Sequence, residues 1–269
     1  MIFLSTVLII CCIWYLLKFF AHFSCKIHDI VRKLSPYTLF LSKWLQSAPA
    51  TFTYTAIFCA FTLVQGTTPQ HLINILTNHA STSIARVSDR PISVFFDSAF
   101  WVADNGAGLI IYVAIFWTII AWAERKYGSP RIIVITLSSH ILASIATIFI
   151  ELWAINSGHA PSSLAKATDV GVSYIMVAGC AAAILLMKKW FFTISIIALG
   201  LFILLPVLFE HSIWDMGHLF ATLIGFISAS LLLKLSSIRR VSSPHELLEN
   251  CRSAVSYTHL RAHETDQYR

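Results

Sequence analysis

Charge is the scarcest commodity in this chain. Lys, Arg, Asp and Glu make up 12% of its 269 residues, against about 25% in ordinary soluble domains. Half the usual charged surface cannot cover a water-facing globule, so a soluble enzyme or binding domain is excluded. Cysteine is sparse and scattered. Cys11, Cys12, Cys25, Cys59, Cys180 and Cys251 show no metal-ligand spacing, and nearly all lie in or beside apolar runs. That pattern argues against a zinc site or a disulfide framework. No internal repeat or low-complexity tract stands out. The net charge of +6 does not form a nucleic-acid stripe either, because the basic residues gather at the ends of apolar runs, where they orient a protein in a membrane.

Apolar sequence is abundant. The hydrophobic content is 57% and the mean hydropathy +0.74, and several runs approach the ~20 helical residues that cross a hydrocarbon layer. The fold class is therefore an all-α, polytopic membrane helical bundle, with membrane lipid as its first partner. Residues 1–20 read as an extra N-terminal transmembrane helix. They lack the basic start and small-residue cleavage site of a signal peptide. Residues 21–49 form a basic cytoplasmic or interfacial linker carrying Lys26, Arg32, Lys33 and Lys43 against Asp29. A six-helix core spans 50–234, and a cytoplasmic tail covers 235–254. Residues 255–269 resemble the translation of a sequencing adapter and are expected to be non-native.

Within the core, crossings are expected at 50–64, 107–123, 132–153, 169–187, 190–209 and 215–233. A long polar loop covers 65–106, and its aromatic patch at 94–101 suits partial embedding at the lipid interface. Basic residues in 26–43, 124–131, 188–189 and 234–240 alternate with neutral or acidic loops. The positive-inside rule then puts those four basic stretches in the cytoplasm. The fourth and sixth core helices consequently both start at the outer face.

Those two starts carry the chemistry. One reads Asp169-Val170-Gly171-Val172-Ser173-Tyr174 and the other Asp215-Met216-Gly217-His218. With Asp169 and Asp215 as helix caps, Ser173 and His218 lie roughly 6 and 4.5 Å deep at ~1.5 Å rise per residue. At matching depth on neighbouring helices, a histidine base can activate a serine nucleophile. Backbone N–H groups near Gly171, Val172 and Tyr174 are placed to support an oxyanion. Gly217, Ala221 and Gly225 offer a small-residue face for close helix packing. The competing readings are a serine bonded to its own helix and a hydrated interfacial histidine. His140 and Glu151 also share one helix face, which leaves a transporter-type bundle open.

In order and spacing these stretches resemble the rhomboid intramembrane serine proteases, in particular their divergent actinobacterial branch. Gly171-Val172-Ser173 is similar to the family's nucleophile motif. His218 with Gly217, Ala221 and Gly225 is similar to its histidine motif, and Glu124-Arg125-Lys126-Tyr127-Gly128-Ser129 to its turn between the second and third core helices. The resemblance implies a Ser173–His218 dyad that cuts transmembrane segments near the outer face without cofactor or metal, in the multi-pass cytoplasmic membrane of a bacterium. The alternative is an inactive relative that binds transmembrane clients. Tyr174 stands where the family has glycine, and Gly108 and Tyr112 stand where it has oxyanion donors. A second register is open, in which Tyr174 matches the family's histidine-stacking tyrosine and the nucleophile position falls on Val170.

Overall fold

The computed structural model describes residues 2–102, 108–209 and 212–266, with helices and no strand among them. Two compact units are present, Ala48–Arg239 in one and Met1–Ser47 with Arg240–Arg269 in the other.

The smaller unit opens with α1 (Ile2–Phe20) and α2 (Cys25–Ser47). The stretch expected as a linker is thus mostly a continuous helix, with Pro36 inside it. Lys and Arg recur along α2 between apolar positions, which gives it the amphipathic character of a surface helix. It closes with α13 (Pro244–Asp266), whose Cys251 is fully buried. The Arg252 guanidinium donates to Tyr37 Oη at 3.3 Å and to Glu249 Oε1 at 2.8 Å.

The larger unit begins at α3 (Pro49–Thr67), with proline in the first turn where its missing N–H costs nothing. The long connection then folds into α4 (Gln70–Ala80), α5 (Ile84–Asp89) and α6 (Ser93–Ala99). Next, α7 (Leu109–Ile115) passes through a π-helical turn at Phe116–Ile120 into α8 (Ala121–Tyr127). The expected start of that crossing at Ala107 lies outside the described residues. Then follow α9 (Ser129–Asn156), α10 (Val172–Ile184), α11 (Trp190–Phe209) and α12 (Ile213–Leu235). Among the described helices, α9, α11 and α12 are each long and apolar enough to cross a membrane alone. This is an integral membrane protein with an all-helical bundle.

Helix α10 is the centre of that bundle. Its 13 residues reach roughly 20 Å at the α-helical rise, short of the ~30 Å hydrocarbon layer. A short span survives because protein surrounds it. Val172, Tyr174 to Gly179 and Ala181 to Ile184 are all buried. Helix α11 is the opposite, with Ile203 its only buried side chain among those described and most of the others exposed. The apolar run expected to continue helically to Met187 breaks at Leu185, and Lys189 takes a left-handed φ of 52° that lets the chain turn into α11. The aromatic patch expected at the lipid interface packs inward instead. Val94, Phe95 and Trp101 are buried, while Phe96 remains exposed.

Glu124, at the end of α8, ties this unit together. Its carboxylate is buried and accepts from the N–H groups of Ala50 (2.9 Å) and Thr51 (2.7 Å) and from Ser129 Oγ (2.6 Å). It thereby caps the orphan donors of α3 and anchors the first turn of α9. Glu124→Ala strands those donors. Hydrogen bonds to a charged acceptor contribute about 1.5–3 kcal/mol each, so the variant should unfold well below the parent in a thermal melt in detergent. Glu124→Gln should recover part of the loss.

Candidate functional site at the start of α10

The segment leading into α10 is held by the long loop. Thr82 N–H donates to Asp169 O at 2.8 Å, and Gly171 N–H donates to Ser98 O at 2.9 Å. Trp214 Nε1 donates to Thr168 O at 2.8 Å, joining the start of α12 to the same segment. His140 of α9 is fully buried and lies 3.0 Å from Phe95 O and 3.1 Å from Ser98 Oγ through Nε2. It anchors α6 rather than standing free beside Glu151. A Cβ on Gly171 would lie 2.3 Å from the His140 ring, so glycine is required where this loop crosses α9.

The caps differ from those expected. Helix α10 is capped at Gly171, with no side-chain bond, and Asp169 instead accepts from Thr82 Oγ1 at 3.2 Å. Helix α12 is capped by Ser212, with Asp215 at the third helical position completing a capping box. Ser173 is thus the second residue of its helix and His218 the sixth of its own. The matched depth expected from aspartate caps does not follow, since four residues correspond to roughly 6 Å of helix. Acidic residues favour helix starts, but Asp169 is buried and held by Thr82 instead.

Ser173, Tyr174 and His218 nevertheless line one cavity of about 420 Å³, with Asp169, Tyr112 and Phe202 on other walls. Among the described residues, Ser173 Oγ makes no hydrogen bond to His218 or to any other group. Tyr174 stands against the histidine. Its ring meets the His218 ring edge-on, at 5.1 Å between centroids and 83° between planes. It also lies 6.1 Å from the His140 ring. The Tyr174 hydroxyl sits over Gly217, where any Cβ would fall 1.6 Å from it. Further in, a Cβ on Gly225 would come within 2.8 Å of Ala178 Cα, and Ala221 is fully buried. These small residues let α12 approach α10 closely.

The oxyanion side is thinly furnished. Gly108 and Tyr112 line the cavity, and they bring a phenol hydroxyl but no side-chain amide or imidazole. The Gly171 N–H is already committed to Ser98 O, and Val172 is buried in the core. Val170, one turn before Tyr174, packs with Ala80 and Trp101 and borders the cavity. Thr82, Ser98 and Trp214 gave no signal as site residues, since isolated polar residues in a long loop have no periodicity to expose them. Among the described residues no group of three or more His, Cys, Asp or Glu could hold a metal.

Residues 43–237 match the family model described as rhomboid-like protein. The chain belongs to the rhomboid-like family. None of the curated proteins and none of the solved structures compared with it matches. In this rhomboid-like protein, the Tyr174 ring is the aromatic neighbour of His218 among the described residues.

Burial pushes the Asp169 carboxyl from its ordinary 3.8 up to about 7, against the opposing pull of the Tyr174 and Thr82 hydroxyls and the Val170 N–H. A carboxyl whose folded value is raised favours the folded state below the unfolded value, and that advantage is lost as pH rises toward the folded one. Thermal stability in detergent should therefore fall between about pH 4 and pH 7. Asp169→Asn should flatten that part of the profile, and an unchanged slope would show that Asp169 is not the group responsible.

Proposed function

We propose that this rhomboid-like protein holds transmembrane segments of other membrane proteins without cutting them. The observation that carries the proposal is the Tyr174 ring set edge-on against His218 while Ser173 makes no hydrogen bond among the described residues. A serine hydroxyl without a base remains a poor nucleophile. The arrangement supports the register in which Tyr174 is the family's histidine-stacking tyrosine. Val170 then stands where the nucleophile would be, and valine cannot attack a carbonyl. The cavity walls suit an apolar helical client, since Ile111 of α7, Phe202 of α11 and Met176 of α10 face it. By the same family resemblance, we place the protein in the cytoplasmic membrane of a bacterium.

A second reading is hydrolysis by Ser173 as nucleophile and His218 as base, and their shared cavity favours it. That chemistry needs the imidazole to leave Tyr174 and reach Ser173 Oγ. The two readings separate in proteoliposomes containing generic transmembrane substrates. Expected are no cleavage above the level of His218→Ala, no fluorophosphonate labelling of Ser173, and photo-crosslinks from a probe at Ile111 or Phe202 to the transmembrane segments. Cleavage lost in both Ser173→Ala and His218→Ala would overturn the binding proposal and establish the protease.

A further inference from the structure

A second cavity lies on the other side of α10, enclosed by α3, α6, the π-helical turn and the start of α9. Ile175 lines it, two positions along α10 from Ser173 and so nearly opposite around the helix. Its volume is about 510 Å³, within the roughly 300–1,000 Å³ of sites that hold small molecules. Among the described residues, no charged side chain lines it. The polar groups of its walls are spent inside the protein. Tyr54 donates to Ala99 O at 2.5 Å, and Thr136 donates to Ile132 O at 2.8 Å, one turn back in its own helix. The Thr51 N–H is held by Glu124. A cavity with such walls offers water too few partners, yet protein interiors seldom leave a space of this size empty.

The shape of the cavity indicates its occupant. Its floor is buried, with Phe116, Ile120 and Ile132 at most 3% exposed. Its rim is apolar and open, with Ile57 of α3 at 37%, Ile133 of α9 at 46% and Phe96 of α6 at 48% exposure. The cavity therefore opens sideways, between α3 and a helix long and apolar enough to cross the membrane, and what it meets there is hydrocarbon. Along α3 it runs from Pro49 to Ile57, roughly 12 Å at the helical rise, nearly half of the ~30 Å layer. Glu124 fixes both helix starts at one end. At the other end α6 lies across the slot, where Phe96, Ala99 and Phe100 join the walls. A client helix spanning the bilayer cannot lie in a slot blocked at mid-depth. A single acyl chain, which enters from one face and ends near the middle of the bilayer, can.

We propose that this cavity binds one acyl chain of a phospholipid, drawn from the leaflet on the side of the basic turn at 124–131. The chain would supply the contacts that the walls otherwise lack and would brace Ile175, the neighbour of Tyr174. Its headgroup would stay at the interface by the starts of α3 and α9. The site is separate from the cavity of Ser173 and His218, so its test does not depend on whether the protein holds clients or cuts them.

The test uses the full chain in phospholipid nanodiscs that include a trace of phosphatidylcholine carrying a diazirine midway along one acyl chain. After irradiation, lipid adducts are located by peptide mass spectrometry. They should concentrate on Ile57, Ile133 and Leu137 and exceed those on Leu201 and Leu205, which are exposed on α11. Ile57→Trp and Ile133→Trp fill the mouth from exposed positions, where a larger side chain is tolerated. Each should lower labelling of the remaining cavity residues at least about tenfold, as the loss of two or more buried methylenes requires, and leave α11 labelling unchanged. Equal labelling of the cavity and α11 would show surrounding lipid only and overturn the proposal. Unchanged cavity labelling in a folded tryptophan variant, or cross-links from a photo-probe at Ile57 to protein in place of lipid, would also overturn it. If neither variant folds, the contrast between cavity and α11 in the wild type still decides.

Discussion

The wedge of Tyr174 between His218, His140 and Gly217 is the contact on which the site depends. An aromatic ring packed edge-on against an imidazole gains quadrupolar attraction as well as buried area, and here it is held from several sides. Gly217 removes the side chain that would collide with the hydroxyl, and Gly171 does the same for the His140 ring. A ring fixed in this way also fixes the histidine it touches. His218 is therefore oriented by packing within the bundle, and Ser173 on the neighbouring position of α10 is left outside that contact.

Around this wedge the bundle is arranged to keep a short central helix in place. α10 cannot span the membrane by itself, so its polar entry must be tied down by other elements. The long loop does this with backbone bonds from Thr82 to Asp169 and from Gly171 to Ser98. Tyr127 closes the other end by donating to Ala182 O at 3.1 Å. Glu124 in turn holds α3 and α9 to the turn that carries Tyr127. Such bonds are strong in a low-dielectric interior because water cannot compete for the same groups. The loop between α3 and α7 is thus a structural part of the bundle.

Most of the architecture could be read from the residues alone. Low charge and long apolar runs give a membrane bundle, and α9, α11 and α12, each long and apolar enough to cross alone, fall at three of the expected crossings. Lipid imposes this legibility, since a span must be helical and apolar over a nearly fixed length. The site was less legible. Ser173 and His218 do border one cavity, but helix caps are set by local bonding that sequence describes only loosely. Ser212 could have served as a cap on composition alone, and its capping box with Asp215 shifted the origin from which depth was counted. Rotation about the α10 axis was the larger gap. Adjacent residues differ by about 100° around a helix, so which of Ser173 and Tyr174 packs on the His218 ring is chosen by tertiary packing. The Thr82 and Ser98 contacts were invisible because they join residues far apart in the chain.

The most direct measurement is an experimental structure in a lipid bilayer that resolves the side chains at the start of α10. Tyr174 resting against the His218 ring, with Ser173 Oγ too far from either ring nitrogen to share a proton, is the predicted result. A Ser173 Oγ within about 3.2 Å of a His218 nitrogen, the upper range of a real hydrogen bond, with the tyrosine swung aside, would contradict it.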